Sequence, residues 1–389
     1  MVLHAGYRVP AGEDTVVNSE AAALERGGHD VLCHVVPNPD RTLPAVAALA
    51  RSLDNRVAAA QVDEEIRRFR PDVVHVHNTW FALSSSAVAA AGRAGVPVVM
   101  TVHNYRLGCL SADLFRDGDV CTACVGRAPL PGVLHGCYRN SRVLSAIAAT
   151  EVTLTRRRGT LVDHVDRFVA PSGFVRDRLV DIGLPADRIS VKPHFVTDPG
   201  PRTTPPSHSD EIVYIGRLAA GKGLETLLRA WERVESAQRD SARPFRLSVI
   251  GDGPLADDLR EAAPRTVTFE GWIAREAVID RLRSARAFVF PSAWYEPFGM
   301  VLVEALSAGA PVVVSTASEA ASITGAPDDL VVPIGDAAAL ADAVLRLTDE
   351  RVDRLGPDNR DRFERRYTEE VGLRDLERLY ADVVAGASR

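Results

Sequence analysis

Short apolar runs alternate with amphipathic stretches along almost the whole chain. In the first half the runs are VLHAG at the start, then Val31–Val36, Asp72–His77, Pro97–His103 and Arg167–Ser172. In the second half they are Ile212–Gly216, Arg246–Gly251, Val267–Trp272, Ala287–Ser292, Pro311–Ser315 and Leu330–Pro333. Short runs rich in Val, Ile and Phe read as strands. Between them lie segments such as Val57–Arg70, whose apolar and charged residues fall on different faces of a helix. Strand, helix and strand repeated in this way predict parallel sheets covered by helices on both faces.

The alternation breaks once. Thr197–Asp210, TDPGPRTTPPSHSD, has no apolar periodicity and is rich in Pro and Ser, so it reads as a linker. The expected fold class is therefore α/β, with two doubly wound, Rossmann-like domains at 1–196 and 211–365 around a linker at 197–210. An amphipathic stretch at 366–389 is expected to form a closing helix that packs back on the N-terminal domain. Ligands of such sheets bind beyond the carboxyl ends of the strands. With two such domains, the expected site is a central cleft which both face.

Composition narrows the class without naming it. Of 389 residues, 46% are apolar and 25% charged, the balance of a globular protein. A net charge of −6 gives no electrostatic footprint for nucleic acid. No run of 18 or more apolar residues exists, so no membrane span is expected. The opening MVLHAGYRVP lacks the basic stretch and apolar core of a signal peptide, and a cytoplasmic location is the expectation.

The chemistry concentrates in a few strand ends. Pro291–Gly309, PSAWYEPFGMVLVEALSAG, holds Glu296 and Glu304 on either side of a Phe298-Gly299 step. The pattern predicts a strand to Ser292, a loop, and a helix over Met300–Ser307 that stops at Gly309 before Pro311. The free N–H groups of Gly299, Met300 and Val301 then form an anion site at the helix start. Glu296 beside an anion suits a hydroxyl-rich ligand, because a carboxylate accepts hydrogen bonds from sugar hydroxyls. Glu304 is a little over one turn further on. The plainer alternative is that Glu296 favours the helix N-terminus and Glu304 faces water, but the apolar neighbours of Glu304 argue against a surface position.

Gly216–Gly223, GRLAAGKG, follows another strand and brackets small residues with Arg217 and Lys222. Two cations at a helix start fit a diphosphate, although a loop with solvated charges has the same pattern. It is not a P-loop, since Gly223 rather than Ser or Thr follows Lys222. Gly251-Asp252-Gly253-Pro254 is a third strand-end turn, and common turn chemistry by itself.

These pieces together resemble glycosyltransferase family 4, the retaining nucleotide-sugar transferases of the GT-B fold. The resemblance rests on GRLAAGKG, VIGDGP, VTFEGW and FPSAWYEPFGMVLVEALSAGAPVV, the last carrying the Glu-x7-Glu motif at Glu296 and Glu304. In the first half GYRVPAGEDTVV, RPDVVHVHN and VVMTVHNYR match as well. It implies a donor site in which Gly216, Arg217 and Lys222 take the diphosphate. Glu296 and the backbone of Phe298, Gly299, Met300 and Val301 would hold sugar and phosphate. Glu304 would hold the ribose, and the backbone of Gly271, Trp272 and Ile273 the base. Gly12 would let the first loop approach the donor, and His103 would contact the transferring sugar; a satisfied strand-end histidine is the alternative there. His103, Arg217, Lys222 and Glu296 are the implied catalytic set. The implied activity is metal-independent, retaining transfer of a sugar from a nucleotide-diphosphate donor to a hydroxyl of a small-molecule, lipid-linked or glycan acceptor, with no cofactor required. A nucleotide-sugar epimerase, a phosphorylase or a non-catalytic nucleotide-sugar-binding protein could share the architecture. The chain departs from the family pattern at Lys192-Pro193-His194-Phe195-Val196.

One feature stands outside the resemblance. A segment over 104–140 inserted after His103 carries Cys109, Cys121, Cys124 and Cys137. Four thiols with one CxxC suggest a structural zinc, with packed thiols or disulfides as alternatives. Cys33, alone in a strand, is expected in the core.

Overall fold

The computed structural model describes residues 1–7, 12–38, 54–80 and 82–387. Arg8–Ala11, inside the GYRVPAGEDTVV stretch, lies outside the described residues. The chain divides into two compact units. Unit 1 is Met1–Leu114, Cys121–His194 and Glu370–Arg389; unit 2 is Phe115–Val120 and Phe195–Glu369.

Unit 1 is built on a parallel sheet of β1 (Val2–Gly6), β2 (Cys33–Pro37), β3 (Val74–Asn78), β4 (Val98–Thr101), β7 (Arg167–Ala170) and β8 (Ile189–Val191), in the order β2-β1-β3-β4-β7-β8. The inserted segment adds a two-stranded antiparallel hairpin, β5 (Phe115–Arg116) with β6 (Asp119–Val120). Central strands are buried on both faces, so β4 is apolar over Val98–Met100, while β3, VHVHN, buries two histidines and an asparagine. The helix Glu369–Ala387 lays Leu379 and Val383 against Val73, Val99 and Val169.

Unit 2 carries β9 (Glu211–Ile215), β10 (Arg246–Ile250), β11 (Val267–Gly271), β12 (Ala287–Phe290), β13 (Val312–Ser315) and β14 (Val331–Val332). They form a parallel sheet ordered β11-β10-β9-β12-β13-β14. The helix Leu224–Ala237 buries Leu224, Leu227, Leu228, Trp231 and Val234 on one side of this sheet. The helix Met300–Ser307 buries Leu302, Val303, Ala305 and Leu306 on the other. Each such aliphatic side chain taken from water contributes about 1.5–3 kcal/mol, so these stripes fix both helices. Strand order reverses between β9 and β12, the place where a doubly wound sheet opens a crevice at its carboxyl edge.

Three expectations need correction. The 104–140 segment is not wholly part of the first domain, since Phe115–Val120 belongs to unit 2. There Phe115 reaches the small-residue loop, and a Cβ on Gly221 would meet its ring at 3.1 Å. Thr197–Asp210 is not a free linker: Arg202 donates to the carbonyls of Gly309 (3.1 Å) and Ala285 (3.1 Å), and Ser207 donates to Asp353. These long-range hydrogen bonds substitute for apolar periodicity, so the pattern missed the packing. Cys33 is exposed rather than in the core, because β2 is an edge strand paired only with β1.

Candidate active site

At the reversal in unit 2, the loops after β9 and β12 come together. Gly223 and Gly299 are both in the left-handed region, with φ of 76° and 78°, and each begins a helix without a side-chain cap. A Cβ on Gly223 would stand 1.9 Å from the Pro291 carbonyl oxygen, so only glycine lets the two loops meet. The helix Met300–Ser307 has no acidic residue in its first turn, which leaves its N–H groups and dipole available to an anion.

The side chains converge on one carboxylate. Lys222 Nζ donates to Glu296 Oε2 at 2.6 Å, and Trp294 Nε1 donates to the same oxygen at 2.8 Å. The Lys222 ammonium also lies 4.5 Å from the centroid of the Trp294 ring. Gly216, Lys222, Glu296, Gly299, Met300 and Val301 line a single hollow at this point. Sequence reasoning missed Trp294. Its signal was an aromatic residue two positions before Glu296, on a loop where an apolar side chain has no core to fill.

The other implied residues lie apart from that hollow. Arg217 is exposed on the loop after β9 and makes no ion pair among the described residues. Phe298 turns its side chain into the apolar core against Tyr367, so only its backbone faces the loop. Glu304 is buried, and Arg275 Nη2 lies 3.0 Å from its Oε1. Burial pushes the Glu304 carboxyl up while Arg275 pulls it back. Arg275 is a second residue that the sequence did not single out. The Gly271 carbonyl accepts from Gly251 N–H at 2.8 Å, Trp272 beyond it is exposed, and Ile273 is half-buried.

Unit 1 holds a second polar centre. His103 is buried just past β4, its Nε2 3.0 Å from Nδ1 of His77, and its ring stacks between those of His77 and His194. The departure from the family pattern at His194 thus supplies a layer of this stack. Lys192 donates to Glu20, and both are buried. Burial alone would raise the Glu20 carboxyl, but Lys192, His75 and His103 hold it below its ordinary value. Burial lowers His75 to about 4 and also depresses His77, His103 and His194, so these imidazoles are neutral at pH 7. Gly12 opens the helix Gly12–Arg26, and a Cβ there would meet nothing within 4 Å. Its neighbour Glu13 accepts from Asn104 Nδ2 (2.7 Å) and from the Tyr7 hydroxyl (2.9 Å).

The four cysteines of the inserted segment are not drawn together as a group of three ligand atoms among the described residues. Among the described residues, the one group whose ligand atoms meet within 4.8 Å is Glu20, His75 and His77. Cys109 Sγ lies 3.3 Å from the Ser111 hydroxyl, and Cys137 packs against Leu110, Tyr138, Ala148 and Val152. The Glu20 group does not suit a metal. Glu20 already holds an ammonium, and both ring nitrogens of His75 are hydrogen-bonded, to Tyr380 (2.7 Å) and Thr101 (2.8 Å).

Two family models match, described as Glycosyltransferase Family 4 over residues 11–198 and Glycosyl transferases group 1 over residues 209–350. The chain belongs to glycosyltransferase family 4. Over 415 aligned positions it is 27% identical to phosphatidyl-myo-inositol mannosyltransferase of Mycobacterium leprae, covering 100% of this chain and 98% of that protein. It is also 27% identical over 261 residues to glycogen synthase of Mycobacterium tuberculosis, covering 64% of this chain and 53% of that one. The chain thus spans about half the length of the glycogen synthases that it matches. Among solved structures, Anabaena Alr3699/HepE in complex with UDP has a similar fold, with a TM-score of 0.67, 14% identity, and 98% and 99% of the two chains covered. The two parallel α/β units of this family 4 chain are those of the GT-B fold. Among the described residues no helix is long and apolar enough to cross a membrane.

Proposed function

We propose that this glycosyltransferase moves a sugar from a nucleotide-diphosphate donor to a hydroxyl acceptor with retention at the anomeric carbon. The observation that carries the reading is the Lys222–Glu296–Trp294 constellation at the strand-order reversal, beside an uncapped helix start. An ammonium has three N–H donors and one is spent on Glu296, so the others are open to a diphosphate. Arg217, exposed on the same loop, adds a second cation. The UDP held by the Anabaena neighbour supports a nucleotide-sugar donor.

In this reading the bond from the anomeric carbon to the diphosphate oxygen breaks while the acceptor oxygen bonds to that carbon from the same face. The acceptor's proton passes to the departing phosphate oxygen. Lys222, Arg217 and the N–H groups of the helix start meet the negative charge left on the diphosphate, which is the role a metal would otherwise take. Glu296 accepts from donor-sugar hydroxyls, Glu304 takes the ribose, and the backbone of Gly271, Trp272 and Ile273 lies along the base. Gly12 and His103 border the transferring sugar. The acceptor is a small molecule, a lipid-linked sugar or a glycan. Free thiols at Cys33, Cys109 and Cys121 fit a reducing, cytoplasmic setting.

The test is a calorimetric titration with UDP and a set of nucleotide sugars, followed by mass spectrometry and anomeric proton coupling of any product. Saturable binding and a product with the donor's anomeric configuration are expected. Inversion would overturn the front-face route. Conversion of the donor to its epimer without an acceptor would make the enzyme an epimerase, and binding without turnover would make it a carrier.

A further inference from the structure

Unit 1 contains a cavity of about 240 Å³ that begins at the carboxyl ends of β3 and β4, at His77 and His103. Most of its wall is apolar, from Met100, Val102, Leu107, Val152, Leu161 and Leu184. Polar side chains share the wall, among them Asn78, Asn104, Arg106 and Arg156, and Glu151 is the carboxyl group in it. Glu151, on the helix Arg142–Arg157, accepts at Oε1 from the Thr155 hydroxyl at 3.4 Å, and its Oε2 has no hydrogen-bond partner among the described residues.

The guanidiniums nearby do not complete it. Arg106 donates to the Leu110 carbonyl at 3.1 Å and lies 4.5 Å from the centroid of the Trp80 ring. Arg156 donates to the carbonyls of Leu107 and Arg127. Both are therefore engaged as wall-builders, and neither forms an ion pair with Glu151. Burial pushes the Glu151 carboxyl up to about 7 against the pull of Arg106 and Thr155. Its Oε2 is open to a hydrogen bond from whatever occupies the cavity.

We infer that this cavity seats the acceptor, and that the acceptor has an apolar ring body with a hydroxyl that hydrogen-bonds to Glu151. The reactive hydroxyl then lies at the other end, towards His103. The aliphatic stretch of the wall favours an acceptor that offers carbon surface over one hydroxylated on every side. Glu151 is a specificity residue here and takes no part in bond making. This deepens the reading of the preceding section and rests on it for the word acceptor; the seat itself does not depend on turnover.

The experiment uses the full chain and three probes: 2,6-dihydroxynaphthalene, 2-naphthol, which lacks the second hydroxyl, and methyl α-glucoside. Affinities are measured for the wild type, Glu151→Leu and Glu151→Gln. The wild type is expected to bind the diol at least tenfold more tightly than the mono-ol. Leu, which cannot hydrogen-bond, should abolish that preference, and Gln should keep part of it. UDP titration of each variant checks folding and tests the donor reading separately. Three results would overturn the inference: no binding of either naphthalene, equal diol preference in wild type and Glu151→Leu, or tighter binding of methyl α-glucoside than of the diol. Loss of UDP binding with the diol preference intact would instead remove the donor reading and leave the cavity assignment standing.

Discussion

His77 and His103 share a hydrogen bond from ring to ring, Nδ1 to Nε2 at 3.0 Å, with both imidazoles buried and nearly parallel at 21°. Such a bond needs at least one neutral ring, because two imidazoliums both donate and neither accepts. The pair thus loses this bond only when both rings are protonated.

Acid should therefore unfold this protein early. His75 ionises at about 4 in the folded state, against 6.5 for an ordinary histidine. Between those values the unfolded chain binds protons that the folded chain refuses, so stability rises with pH through the window and is lost on acidification. Urea midpoints at pH 7.5, 6 and 5 should fall in that order. His75→Gln should flatten the slope. A profile unchanged from pH 7.5 to 5 would show that the cluster carries no such linkage.

The donor loops offer a sharper test. Lys222→Ala and Glu296→Gln should each lower turnover by two or more decades, since removing one charge-stabilising group from a transition state costs about 2.7–4 kcal/mol. Trp294→Phe keeps the ring under the ammonium but deletes the N–H to Glu296. A hydrogen bond to a charged group is worth about 1.5–3 kcal/mol, so roughly a tenfold loss or more is expected. Steady-state kinetics on the three variants settles it; near-wild-type kcat in Lys222→Ala would remove the charge-stabilising role.

Arg275 and Glu304 form a pair in which the arginine opposes the rise that burial imposes on the carboxyl. Arg275→Ala should raise the Glu304 carboxyl further, so that the variant loses the carboxylate form at a higher pH than the wild type. If Glu304 holds the ribose as an acceptor, UDP affinity of the variant should fall and should recover as pH rises. Titrations at pH 6 and 8 measure this. An equal loss at both pH values would mean that Arg275 acts on the nucleotide directly.

Elemental analysis should find no stoichiometric zinc on Cys109, Cys121, Cys124 and Cys137. Cys121→Ser should leave stability within about 0.5 kcal/mol, as for a residue outside the core and its networks. One zinc per chain with sulfur ligation by X-ray absorption would place a metal on these thiols.

The strand-end loops were legible because their signals are local. GRLAAGKG and the stretch from Pro291 to Gly309 each carry strand, turn and helix start within a single window, and the small residues in them have one reason to be there. Trp294 and Arg275 were not legible, since nothing near them in sequence says which carboxylate they meet. For the cysteines the sequence offers only a spacing, and whether sulfurs converge depends on how the loop packs.

Periodicity alone determined the α/β class, the two parallel units, and the placing of Lys222, Glu296 and Glu304 near strand ends, because strand and helix repeats are set by the chain's own geometry. The tertiary structure decided what those residues touch. Lys222 meets Glu296 from 74 positions away, Lys192 meets Glu20 from 172, and Tyr380 reaches His75 from 305. It also decided that His194 would join a histidine stack and that Glu151 would face a cavity. Burial is a property of the assembled fold, and it is burial that turns an ordinary histidine or glutamate into one whose charge depends on its neighbours.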